Sequence, residues 1–118
     1  MANNVVDNGD ILVEDGKIKK VGVNLESGNE KVLNGDGLIA LPGFIDAHSH
    51  MGGFDLSTAK GEDDVNEMTN NITPHMEAIY GVDITSKDFK CSYENGITTV
   101  AITPGSGNVI GGLVFATK

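Results

Sequence analysis

Two of the three histidines in this 118-residue chain stand two apart, as His48-Ser49-His50. On a β-strand, residues i and i+2 point to the same face. Two imidazoles about 6 to 7 Å apart along a strand can grip one metal ion if the strand end curls slightly. Neutral imidazole is a ligand for zinc and similar ions. Asp46 falls on the same face, one step deeper, where a carboxylate orients a ligating imidazole rather than ligating first. On spacing alone, two solvent-exposed histidines at a strand end fit the pattern about equally well, because His-x-His is short.

The surrounding sequence must position that pair. Ile11–Glu14 and Lys17–Val21 flank Asp15-Gly16, a hairpin signal, since a type I′ turn needs positive φ at both central residues. Residues 24–30 read as a polar loop, Lys31-Val32-Leu33 as a short strand and Asn34–Gly37 as a second turn. The run from Leu38 is apolar on both alternating faces until Asp46, as in a strand covered on both sides. Pro42-Gly43 divides it into a short strand before and a second, Phe44 to His48, after. Residues 52–75 are polar, with an acidic run Gly61–Asp64 that reads as a solvated surface. Pro74–Tyr80 is expected to form one or two helical turns capped by Thr73. Thr85–Asp88 looks like a capping-box helix start, with Phe89 and Tyr93 on one face and Gly96 at C′ of a helix of about ten residues. Ile97–Thr103 is β-branched, as in a buried parallel strand, and Ile110–Thr117 reads as another strand.

Composition excludes several function classes. Eight lysines against seventeen acidic residues give a net charge of −9, and there is no arginine. Arginine is the preferred fork for phosphates and base edges, so nucleic acid and anionic membranes are not expected partners. No apolar run approaches a membrane span, and no secretory signal is visible. The single cysteine, Cys91, excludes an intramolecular disulfide. A cytoplasmic protein is the expectation.

The stretch Leu41–His50 resembles the first barrel strand of the amidohydrolase superfamily. Ile11–Gly22 resembles the hairpin of that family's N-terminal β-subdomain, and Asn34–Leu41 the lead-in to the strand. Glu94–Val100 and Pro104–Gly112 resemble its imidazolonepropionase-related, prolidase-like branch. The resemblance spans roughly residues 10–118. It implies an α/β fold: an N-terminal β-hairpin (β-sandwich) subdomain, residues 1–43, followed by the first βα units of an incomplete (β/α)8 TIM-type barrel, residues 44–118. It also implies one or two divalent ions, zinc foremost, with His48 and His50 as ligands from the first strand. A metal-activated water would attack a C–N bond of a small amide or dipeptide-like substrate. His75, Ser106 and Asn108 are candidate substrate-pocket residues.

A complete barrel takes about 250 residues. The family's bridging lysine, its later histidines and its catalytic aspartate have no counterpart here, so no catalytic residue is assigned. A catalytic zinc needs three protein ligands, and the 118 residues alone are expected to be inactive. The alternative is a non-catalytic, β-rich module that self-associates through exposed strand edges. Pro104–Asn108 could form an anion-binding nest, but a structural turn bordering the substrate site is favoured. Ser106 lacks a partnered histidine and is no convincing nucleophile. Asp55 could reach the metal from its loop, though a loop aspartate more often caps a turn; Cys91 is expected to be semi-buried filler, and Met68 and Met76 to be packing residues.

Overall fold

The computed structural model describes residues 5–54 and 65–118; Asp55 and the acidic run Gly61–Asp64 lie outside the described residues. The chain divides into two compact units, Met1–Ile39 and Ala40–Lys118.

In the first unit, β1 (Asp10–Glu14) and β2 (Lys17–Gly22) pair antiparallel. Asp15 and Gly16 have φ of 50° and 71°, the two positive angles that the Asp-Gly pair predicts. The Asp10 carboxylate accepts a hydrogen bond from the Leu25 amide at 3.0 Å, which ties the following loop back to β1. The turn at Asn34–Gly37 also forms: Asn34 Oδ1 accepts from the Asp36 amide at 2.7 Å, and the Leu38 amide donates to Gly35 at 2.9 Å. The expected strands at 31–33 and 38–41 do not form. A strand needs a neighbouring strand for its backbone groups, and among the described residues these segments pair with none. The expected β-sandwich is therefore a single two-stranded sheet here. A lone hairpin buries too little apolar surface to be independently stable.

In the second unit, β3 (Phe44–Ser49), α1 (Lys87–Glu94), β4 (Ile97–Ile102) and β5 (Phe115–Thr117) follow in order. The sheet order is β3-β4-β5, with β3 and β4 parallel and β4 and β5 antiparallel. The parallel pair connected through α1 is the expected βα unit; β5 does not continue a parallel series. Val100 and Ile102, two apart on one face of β4, are buried with Met51, and Phe89, Ile97 and Phe115 pack around them. Ser86 rather than Thr85 caps α1, accepting from the Asp88 amide at 3.4 Å, while the Thr85 hydroxyl donates to Asp83 at 2.7 Å. The helix is eight residues long, and Gly96, with φ 88°, takes the C′ position.

Several expectations are corrected. The Pro74–Tyr80 segment is helical only as a 3₁₀ turn over Ala78–Gly81. Thr73 does not cap it, because its amide and hydroxyl both donate to the Ile110 carbonyl, at 2.8 and 3.2 Å. The expected strand over residues 110–117 shrinks to β5, since Ile110 and Leu113 bridge instead to Ile72 and Glu77. Cys91 is exposed, and Met68 is 83% exposed rather than packed. The start of β3, expected to be covered on both faces, is open on both: Phe44 and Ile45, on opposite faces, are 59% and 73% exposed. Among the described residues, β3 pairs on one side only. No helix among them is long and apolar enough to cross a membrane.

Gly43 sets how closely β3 starts against β4. A Cβ there would lie 2.0 Å from Thr98 Oγ1 and 2.7 Å from Thr98 Cβ, a side chain branched too close to the backbone to swing aside. Gly43→Ala is expected to destabilise the unit by about 1 to 3 kcal/mol, the usual cost of overpacking. Adding Thr98→Ala should restore most of it. Urea denaturation of the two variants checks this, and an unchanged midpoint for Gly43→Ala would contradict it.

Candidate metal centre and adjoining cavity

The two histidines sit at the C-terminal end of a parallel strand pair, the edge where open α/β sheets place their ligands. β3 is irregular at that end. From Asp46 to Ser49 it advances three residues while β4 advances two, Val100 to Ile102. Such a bulge leaves one backbone N–H without its ladder partner. Asp46 Oδ1 accepts from the His48 amide at 3.1 Å, a local side-chain bond of the kind that compensates a broken ladder. Asp46 thus acts on the backbone that carries His48; among the described residues it makes no hydrogen bond to either imidazole.

The rings of His48 and His50 meet edge to face, with centroids 5.2 Å apart. His48 is exposed and His50 half-buried. His50 Nδ1 lies 2.9 Å from the Thr103 carbonyl and 3.3 Å from the Thr103 hydroxyl. A carbonyl only accepts, so Nδ1 carries the proton and Nε2 keeps its lone pair. This is the arrangement that orients a metal-ligating histidine. The Thr103 amide in turn donates to the Ser49 carbonyl at 2.8 Å, continuing the β3–β4 ladder. Phe54 closes one side of His50, ring centroids 6.2 Å apart. The donor chemistry of the pair therefore suits a divalent ion. Among the described residues, however, no group of three or more His, Cys, Asp or Glu side chains is arranged to hold one. Long-range ¹⁵N correlation of His50 is expected to show the Nδ1–H tautomer, and an Nε2–H ring would remove Thr103 as its orienting partner.

His50 and Thr103 also line a cavity of about 240 Å³, together with Glu67, Glu77, Tyr80 and Asn108. Its wall is a lacing of two segments. The Gly105 amide donates to Val65 O at 2.6 Å, and the Gly107 amide to Asn66 Oδ1 at 2.8 Å. Asn108 Nδ2 donates to the carbonyls of Glu67 and Asn70, at 2.7 and 2.8 Å. The Val109 amide donates to Asn71 at 2.9 Å. The glycines are needed for close approach: a Cβ on Gly105 or Gly107 would lie 2.4 or 2.7 Å from Asn66 Oδ1. The Gly105 and Gly107 amides are occupied within the chain, which fits the favoured structural turn.

Of the three candidate pocket residues, Asn108 lines the cavity; Ser106 and His75 do not. His75 is exposed, and its charge bears on Glu67. Sequence reasoning missed Thr103, Asn66 and Glu67. Thr103 could have been found as the residue ending the strand parallel to the histidine strand. Asn66 carries no local signal, because its loop partners lie some forty residues away; the Glu67 side chain bonds locally to Thr69, but its carbonyl partner Asn108 is as distant. Glu67 is held ionised: hydrogen bonds from the Thr69 hydroxyl and amide to its Oε1, at 2.5 and 2.7 Å, together with the His75 charge, lower its pKa.

Comparison with known proteins adds the family context. No protein-family model matches the chain. Amidohydrolase tasK of Hapsidospora irregularis is 35% identical over 114 residues, which is 93% of this chain and 12% of that protein. A 5-methylthioadenosine/S-adenosylhomocysteine deaminase of Caldicellulosiruptor saccharolyticus is 50% identical over 54 residues, 42% of this chain and 13% of its own length. A dihydroorotase of Aquifex aeolicus is 50% identical over 42 residues, 36% of this chain and 10% of the enzyme. The chain thus spans only 10 to 13% of these relatives. The crystal structure of an amidohydrolase from Thermotoga maritima MSB8 superposes with a TM-score of 0.82 at 37% identity, over 92% of this chain and 28% of that one. Sequence and fold together support the amidohydrolase superfamily.

Proposed function

We propose that this chain is the N-terminal segment of a metal-dependent amidohydrolase that hydrolyses C–N bonds in small amides, cyclic or dipeptide-like. The observation that carries the reading is the bulged end of β3, which sets His48 and His50 edge to face at 5.2 Å with His50 oriented by Thr103. A divalent ion, zinc foremost and one or two in the whole enzyme, would supply Lewis-acid activation of water. His48 and His50 would hold it through ring nitrogens; Thr103 fixes the His50 tautomer and Asp46 stabilises the bulge. Names among the relatives, amidohydrolase, deaminase and dihydroorotase, support hydrolysis at the family level. The imidazolonepropionase-related, prolidase-like branch rests on Glu94–Val100 and Pro104–Gly112. The acidic, arginine-free composition supports a cytoplasmic protein without nucleic-acid partners.

A catalytic zinc takes three protein ligands and an open position, so two histidines predict no sustained turnover by these 118 residues alone. The test has two arms. Source DNA read past the codon for Lys118 is expected to continue in frame, with a strand-end lysine, two further histidines and a late aspartate. The 118-residue chain, assayed with metal on cyclic amides and dipeptides, is expected to be inactive. A stop codon directly after Lys118 would overturn the first expectation, and metal-dependent turnover the second.

A second reading has one observation in its favour. The unpaired edge of β3 carries exposed Phe44 and Ile45, and such edges pair with other chains. A self-associating, non-catalytic module would sediment as a dimer that Ile45→Lys dissociates.

A further inference from the structure

The cavity beside His50 has a feature that the metal reading does not use. Glu67 and Glu77 are among its lining residues, and among the described residues no lysine lines it. Glu67 is half-buried and is the better fixed of the two. Its backbone carbonyl is gripped by Asn108 Nδ2 at 2.7 Å, and its Oε1 by the Thr69 amide and hydroxyl. Among the described residues, Oε2 receives no hydrogen bond. A carboxylate with one oxygen anchored and one open is a preorganised acceptor for an N–H group. The loop that anchors it, Gly105–Asn108, already spends its Gly105 and Gly107 amides on Val65 and Asn66, so neither of these is offered to an anion.

We propose that Glu67 is the specificity residue of this cavity, selecting a small ligand whose nitrogen end presents N–H donors or positive charge and rejecting carboxylates. This rests on the amidohydrolase reading only in taking the cavity as the substrate site. The about 240 Å³ available accommodates a single substituted ring. In a C–N hydrolase the nitrogen side of the substrate would face Glu67, while the end beside His50 is left for the bond to be cleaved. Asn108 acts through Glu67 and is a positioning residue.

The test uses three probes that share a ring and differ in charge: benzamidine, benzamide and benzoate. They are titrated into the metal-free 118-residue chain at neutral pH, with amide resonances followed by NMR. Benzamidine is expected to bind about tenfold more tightly than benzoate, as a charge-assisted pair allows, shifting Glu67, Thr103 and Asn108. Added salt should shrink the difference. Glu67→Gln is expected to remove the preference while changing benzamide affinity by less than about twofold. Benzoate binding as tightly as benzamidine, a preference that survives Glu67→Gln, or no binding of any probe would overturn the proposal. The same titration on a His48→Ala chain, with zinc titrated in parallel, separates the two readings, since His48 does not line the cavity. Zinc binding is expected to be lost there with the charge preference intact, so each can fail without the other.

Discussion

Zinc affinity is expected to fall at least about tenfold when His48 and His50 are both replaced by alanine, since loss of an outer-shell partner alone typically costs about 10 to 100-fold. The parent affinity should itself be weak, because two imidazoles leave the ion mostly hydrated. The single variants should each approach the double, as neither ring alone can chelate. His75→Ala is the matched control: it removes the one remaining histidine, which is exposed and does not line the cavity beside His50. Calorimetric titration of the five chains reads the result directly. Equal affinity in the parent and the double variant would remove the metal centre. A loss confined to His75→Ala would move it elsewhere.

Gly112→Ala is expected to produce the largest loss of stability among single alanine substitutions in the glycine-rich segment, about 2 kcal/mol or more. A Cβ there would sit 2.4 Å from the Met76 carbonyl oxygen and 2.9 Å from its carbon. Those are backbone atoms, and they cannot rotate away. The same oxygen accepts from the Leu113 amide at 2.7 Å, so the added methyl forces apart the two segments at a hydrogen bond that joins them. The neighbouring Gly111 has open space where a Cβ would go. Gly111→Ala should therefore change stability by less than about 0.5 kcal/mol. Denaturation midpoints of the pair isolate contact from composition. Equal midpoints would show that close approach is not what the second glycine provides. Because Gly112 lines the cavity, its alanine variant should also disturb probe binding there.

Local signals were legible where a few consecutive residues decide the outcome. Asp15-Gly16 specified its hairpin because two positive φ angles are needed and those residue types supply them. Gly96 ended α1 for the same reason. The β-branched run Ile97–Thr103 read as a buried parallel strand, and β4 pairs parallel with β3 over Ile97–Ile102, buried at Val100 and Ile102. His48-Ser49-His50 placed two imidazoles at one strand end by alternation alone. Apolar composition misled where burial needs a partner surface: 31–33 and 38–41 contain strand-forming residues yet form no strand.

What only the tertiary structure decided are contacts between residues far apart in the chain. The bulge at Asp46–Ser49 depends on the register of β3 against β4, fifty residues on. The Nδ1–H tautomer of His50 depends on Thr103, a partner 53 residues away. The glycines of the Pro104–Gly112 segment read as turn residues in isolation. Their use is to admit Asn66 and Met76 within reach of the backbone, and no window of sequence contains both sides of that contact. Sequence determines which groups a chain carries and their local alternation, because these follow from residue type and backbone geometry. Which carboxylate is anchored beside which imidazole follows from packing, and that is set only when the segments meet.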